Sequence, residues 1–127
     1  MPHIDVVFYQ EDNDKVPVLD WLRDLRRTDQ RAYEKCAAAI ERLVKFGHEL
    51  RRPLADFLEE GIHELRIRKG RVNYRILYFF LGKNLAILAH ALAKEEKVPK
   101  ADIERAVRRK KLFEADPGKH AFSQEET

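Results

Sequence analysis

Cysteine and serine each occur once, as Cys36 and Ser123. One cysteine excludes an intramolecular disulfide and fits a reducing compartment. One serine, among the polar C-terminal residues, argues against a serine hydrolase. The five glycines are too scattered for a phosphate-cradling loop of the G-x-G-x-x-G or G-x-x-x-x-G-K type. His3, His48, His63, His90 and His120 stand apart and form no zinc-ligand spacing with the lone cysteine. No Asp/Glu cluster falls on the predicted strands, where a magnesium-dependent nuclease would want one. The expectation is therefore a protein without metal or cofactor. No apolar run approaches the roughly 20 residues of a membrane span. The opening Met1-Pro2-His3-Ile4-Asp5 has neither the basic nor the apolar region of a secretion signal. These absences point to a small cytoplasmic domain with no membrane partner.

What is present is one domain's worth of chain, 127 residues, 44% apolar and 37% charged. A domain of this size buries roughly two thirds of its unfolded surface and needs no staple. The net charge of +3 is unevenly spread. Residues 1–50 carry eight Lys/Arg against ten Asp/Glu, whereas Ile62–Lys111 carry fourteen against five. A basic segment of this kind points to a polyanionic partner, nucleic acid first, with a merely solvated basic face as the alternative.

The apolar pattern predicts the elements in turn. Ile4–Tyr9 reads as a strand. Pro17 sits where the first turn of a helix tolerates it, and Val18, Leu22 and Leu25 follow at helical spacing. Thr28-Asp29 offers an N-cap for a second helix with Ala32, Cys36, Ala39, Ile40 and Leu43 on its apolar stripe, and Gly47 supplies the stop. The short connection makes the two an antiparallel helical hairpin, with Cys36 a buried, inert thiol. Glu49–Gly61 reads as irregular. Ile62–Arg68 then alternates as a strand, Lys69-Gly70 as a two-residue turn, and Val72–Leu81 as a central strand. Gly82-Lys83-Asn84 is a second turn before a strand over Leu85–Ala93. Pro99 opens a last helix with Ile103, Ala106 and Val107 inward and Arg105, Arg108, Arg109, Lys110 and Lys111 clustered near its end. The expected fold class is α+β, an antiparallel sheet with an N-terminal strand and helical hairpin, a C-terminal three-strand meander and a final helix. Residues 1–113 form the single domain, and 114–127 a polar, poorly ordered tail.

With the turn at Lys69-Gly70, Arg68 faces Arg71, Arg66 faces Asn73, and Glu64 faces Arg75 across the hairpin. One sheet face then gathers Arg66, Arg68, Arg71, Asn73 and Arg75 against a single acid, and so many cations call for an anion. On the next strand His90 and Lys94 share a side. His90 lies in an apolar run, where a lone histidine is more often a hydrogen-bonded core residue. The Arg75 strand beside it keeps a functional role open. Metal-free RNA cleavage needs such residues. The ribose 2′-oxygen attacks the adjacent phosphate, Arg and Lys stabilise the developing charge, and His or a Lys with a lowered pKa moves protons. Arg stays protonated and cannot be the base.

His63-Glu64-Leu65-Arg66-Ile67-Arg68, Asn73-Tyr74-Arg75-Ile76-Leu77-Tyr78, Leu88-Ala89-His90-Ala91-Leu92-Ala93-Lys94, Lys97-Val98-Pro99 and Ile103-Glu104-Arg105-Ala106 resemble the HigB-like, phage-derived branch of the RelE/ParE toxin superfamily. The resemblance runs from Ile4 to Val107. It implies a RelE-like fold and the toxin of a type II toxin–antitoxin system. Such a toxin is a metal-independent, ribosome-dependent mRNA endoribonuclease, an enzyme that blocks translation. Its partners are mRNA, the ribosome and a cognate antitoxin with a helix-turn-helix. By resemblance Arg75, His90 and Lys94 are catalytic, and Arg66, Arg68, Arg71, Asn73 and Lys97 bind RNA. The chain departs from the pattern at Glu95-Glu96, where relatives often carry a basic residue, and at Ala101, where RelE places a tyrosine. A ParE-like, non-enzymatic gyrase inhibitor and an inactive module that binds nucleic acid or antitoxin stay open as alternatives.

Overall fold

The computed structural model describes residues 3–94 and 97–122. In chain order these form β1 (Asp5–Tyr9), α1 (Pro17–Thr28), α2 (Gln30–Phe46), a 3-10 turn (Gly47–Glu49), β2 (Ala55–Glu59), β3 (Ile62–Lys69), β4 (Val72–Leu81), β5 (Leu85–Lys94), α3 (Lys100–Ala115), α4 (Pro117–His120) and β6 (Ala121–Phe122). This is the expected α+β order of strand, helical hairpin, strand meander and final helix. One sheet of order β2-β3-β4-β5-β1-β6 carries α1 and α2 on one face and α3 on the other.

Local chemistry explains most of the boundaries. Pro17 opens α1, where its missing N–H is not needed. Asp29 alone links α1 to α2, and its carboxylate accepts from the Ala32 N–H at 3.1 Å, a side-chain N-cap. Gly47 ends α2 at φ +53°, a backbone that L side chains disfavour. Period-two alternation sorts the strands between two cores. Leu65, Ile67, Tyr74, Ile76, Tyr78 and Leu88 pack under Val18, Leu22, Cys36, Ala39 and Leu43 of the helical hairpin. Ile62, Leu77, Phe79, Ile87, Ala89 and Leu92 pack under Ala106, Val107 and Phe113 of α3. Each fully buried large side chain is worth about 1.5–3 kcal/mol. Cys36 is fully buried, and burial pushes its thiol up to about 12, so it has no thiolate to react with at neutral pH.

Three expectations are corrected. The stretch expected to be irregular contains β2, which pairs antiparallel with β3 from Ala55↔Leu65 to Glu59↔Ile62. Glu60-Gly61 joins the two strands, with φ +51° and +81°, the conformation that a two-residue type I′ hairpin loop demands. The β3–β4 turn is Gly70-Arg71, since Lys69 pairs with Val72. Only Gly70 of the two has positive φ, at +64°, as in a II′ turn. The polar residues from Glu114 continue as the end of α3, then α4 and β6. β6 pairs with β1 at Phe8↔Phe122 and Tyr9↔Ala121. β1 itself runs parallel to β5, Asp5↔Leu85 to Phe8↔Leu88. The expected tail beyond Phe122, and the Glu95-Glu96 pair, lie outside the described residues.

Candidate functional site

Moving the β3–β4 turn by one residue changes the register by two, so every side chain keeps its face. Arg66 now stands opposite Arg75, Arg68 opposite Asn73, and Glu64 opposite Leu77. The basic face on the α3 side of the sheet therefore keeps Arg66, Arg68, Asn73 and Arg75. Arg71 leaves it for the exposed turn. Arg68 is exposed and donates from Nε to the Gly70 carbonyl at 3.0 Å.

Two arginines directly opposite each other repel, and Glu64 relieves that repulsion from the diagonal position. Its Oε1 accepts from Arg75 Nη1 at 3.1 Å, and its Oε2 lies 3.8 Å from Arg66 Nε. Asp56, opposite Glu64 on β2, adds a second carboxylate but is itself paired with Arg52 at 2.9 Å, so the face stays positive. Arg75 is 7% exposed, and its Nε is buried without a partner among the described residues. A buried unsatisfied donor costs about 1–3 kcal/mol. An anion that reaches the guanidinium from the open side of the face would recover it.

His90 reaches the same face through a β-bulge. The β4–β5 register shifts between Leu77↔His90 and Tyr78↔Leu88, so Ile87 and Ala89 on one side of the shift and Leu92 on the other all pack beneath α3. His90 is 8% exposed, and both ring nitrogens are engaged. Nε2 lies 2.7 Å from Asp102 Oδ1, and Nδ1 lies 3.3 Å from Arg109 Nη1. Asp102 can only accept and Arg109 can only donate, so the neutral tautomer with its proton on Nε2 satisfies both. Arg109 extends the chain, donating to the Ala89 carbonyl at 2.7 Å and pairing with Glu11 at 3.1 Å. The basic cluster expected near the end of α3 thus loses Arg109, which is 8% exposed and turned into the core.

Burial holds the His90 pKa below its ordinary value, the adjacent Arg109 acts in the same direction, and Asp102 opposes them in part. His63 is lowered too, by burial and by His48. A histidine lowered in the fold takes up its proton more readily unfolded. Its contribution to stability is complete above the ordinary histidine value and is lost as pH falls through that value toward the folded one. Melting temperature should therefore drop between pH 7.5 and pH 5.5, and His90→Gln should flatten part of the drop. A His90→Gln protein with the full wild-type pH dependence would contradict this assignment.

Lys97 is exposed in the loop before α3. The Lys94 backbone pairs with Asn73 at the end of β5, and its side chain lies outside the described set. Sequence reasoning brought Arg66, Arg68, Asn73 and Arg75 to one face and set His90 on the strand beside it, and the bulge turns His90 onto that face. It missed Asp102, Arg109 and Glu11 as partners, and no local spacing signals them. Among the described residues no group of three or more His, Cys, Asp or Glu could hold a metal ion, and no helix is long and apolar enough to cross a membrane. A family model described as Phage derived protein Gp49-like (DUF891) matches residues 21–111, which contain β2 to β5 and all the candidate site residues. No curated protein matches the chain.

Proposed function

The chain belongs to the phage-derived Gp49-like family, and with that as premise we propose that it is the toxin of a type II toxin–antitoxin system, a metal-independent, ribosome-dependent mRNA endoribonuclease of the cytoplasm. The observation that carries this reading is the positive sheet face of Arg66, Arg68 and Arg75, with the unpartnered Nε of Arg75 at its inner edge. On it a phosphate would be held while the ribose 2′-oxygen attacks and the 5′-oxygen leaves. Arg75 and Arg66 stabilise the charge that builds on the phosphoryl oxygens. Lys94, catalytic by the resemblance, is the candidate to move the protons. His90 serves this site by anchoring α3, and acts on protons only after releasing Asp102 or Arg109. Purified protein is expected to cut mRNA on translating ribosomes and to leave naked RNA nearly intact. Equal cleavage of both would contradict the ribosome dependence.

The engagement of both His90 nitrogens favours a second reading, a ParE-like gyrase inhibitor, which needs no proton transfer. Mapping mRNA ends after induced expression separates the two, since new 5′ ends in coding regions arise only from the nuclease. In either reading the cognate antitoxin, a helix-turn-helix protein, must cover a basic surface. Its association rate should fall as salt rises, because complementary charge speeds encounter and salt screens it. An on-rate indifferent to salt would place the contact on apolar surface instead.

A further inference from the structure

Three clefts lie along the edge of the sheet, the first of them bordered by Arg66 and Arg68 of the basic face. The first, about 290 Å³, lies between α2 and β3, with Lys35, Arg42, Arg66 and Arg68 at its walls. The β2–β3 ladder ends beside it, where the Arg66 N–H donates to the Leu54 carbonyl at 2.7 Å. The second, about 230 Å³, shares Arg42 and Leu54 with the first and adds Phe46, Arg51 and Arg52, with one exposed acid, Glu49, among these cations. The third, about 590 Å³, shares Arg51 and Arg52 with the second and ends at His48, Phe57 and His63. The shared residues make the three clefts neighbours along one grooved strip of surface.

Among the described residues two large apolar side chains stand exposed, Phe57 at 55% and Phe46 at 37%, and both line this groove or its rim. Each is braced. The Phe57 ring meets His63 edge-on at 5.2 Å, and His63 stacks on Tyr78 at 5.3 Å. The Arg42 guanidinium sits 5.4 Å from the centre of the Phe46 ring. Between the rings Arg51 is exposed and makes no ion pair among the described residues, whereas Arg52 is held by Asp56 at 2.9 Å. Fixed aromatic rings alternating with cations along a groove are what a single strand of nucleic acid requires. Its unpaired bases offer faces to stack and its phosphates offer charge. A duplex hides those faces, and an acidic peptide uses the cations but has no need of two exposed phenyl rings.

We propose that this groove binds single-stranded RNA, with Phe57 and Phe46 as base-stacking platforms and Arg51 and Arg42 on the phosphates. The choice of RNA rests on the function proposed above, whereas the groove itself does not.

The test is fluorescence anisotropy with the full chain and a labelled single-stranded RNA of twelve mixed nucleotides. Phe57→Ala should weaken binding about tenfold, within the roughly 5- to 150-fold range of one lost base stack. Because the ring is exposed, melting should not change. Arg51→Ala should reduce the slope of log affinity against log salt by about 0.7, the value of one phosphate contact on a single strand. The same sequence as a duplex should be indifferent to Phe57→Ala. Wild-type binding by both variants, or displacement of the RNA by an acidic twelve-residue peptide at lower concentration than by unlabelled RNA, would overturn the groove assignment. The readout is binding, so a weakened Phe57→Ala complex with no mRNA cleavage anywhere would refute the nuclease and leave the groove standing. Cleavage on ribosomes with normal Phe57→Ala binding would do the reverse.

Discussion

Arg75→Ala is expected to lower mRNA cleavage on ribosomes by about a hundred- to a thousandfold, the usual loss when one stabiliser of transition-state charge, worth about 2.7–4 kcal/mol, is removed. The same change has a second consequence that must be separated from the first. Arg75 Nη1 satisfies Glu64, which is 4% exposed, so truncation leaves a buried carboxylate with only the distant Arg66 contact at 3.8 Å. Breaking a buried pair from one side costs about 3–5 kcal/mol. The informative comparison is therefore Arg75→Ala with Glu64→Gln in the same chain, since Gln keeps the volume and removes the stranded charge. The double variant should recover much of the lost melting temperature and none of the lost cleavage. Glu64→Gln alone should lower the melting temperature, because it restores the repulsion between Arg66 and buried Arg75, while its amide oxygen can still accept from Arg75. A folded, antitoxin-binding double variant that still cuts mRNA at the wild-type rate would remove Arg75 from the chemistry. One that still arrests growth without cutting mRNA would favour the gyrase reading.

Arg109→Ala is expected to be the most damaging single change to stability in α3. The side chain is buried against the ring of Tyr9, 5.7 Å from its centre, and burial holds its pKa below the ordinary arginine value. Removing it deprives the buried Ala89 carbonyl, His90 Nδ1 and the half-buried Glu11 of their donor at once. A loss of about 3–5 kcal/mol follows from the breaking of a buried charged network, which for a domain of this size lowers the melting temperature by roughly 10–20 °C. Arg109→Lys should fall between, because an ammonium keeps the charge but cannot aim a planar fork at three acceptors. If Arg109→Ala melted within a degree or two of wild type, the network would be a surface feature and the account of His90 would fail with it.

Much of the architecture could be read from neighbours along the chain. Pro17 and Asp29 mark helix starts by what they do to the first few N–H groups, and alternation over Ile62–Arg68 sorts a strand into two faces. The basic face survived a misplaced turn for a simple reason. Sliding a two-residue turn by one position shifts the pairing by two, and side chains repeat every two residues. β2 escaped notice because five residues with two acids and one exposed phenylalanine show no clear alternation. Its pairing is visible only beside β3.

The chemistry of His90 was decided by the fold. Its place in an apolar run says that it is buried, but its protonation depends on Asp102, twelve residues away, and Arg109, nineteen away, both on α3. Glu11, which completes the chain through Arg109, comes from the loop after β1. Sequence by itself determined which residue types of β3 and β4 lie on which face, because that follows from backbone periodicity, which the bulge interrupts in β5. Only the tertiary structure decided which of those charges are paired and closed off and which remain open. Pairing needs side chains from distant segments within about 3 Å of one another, and no local pattern encodes that distance.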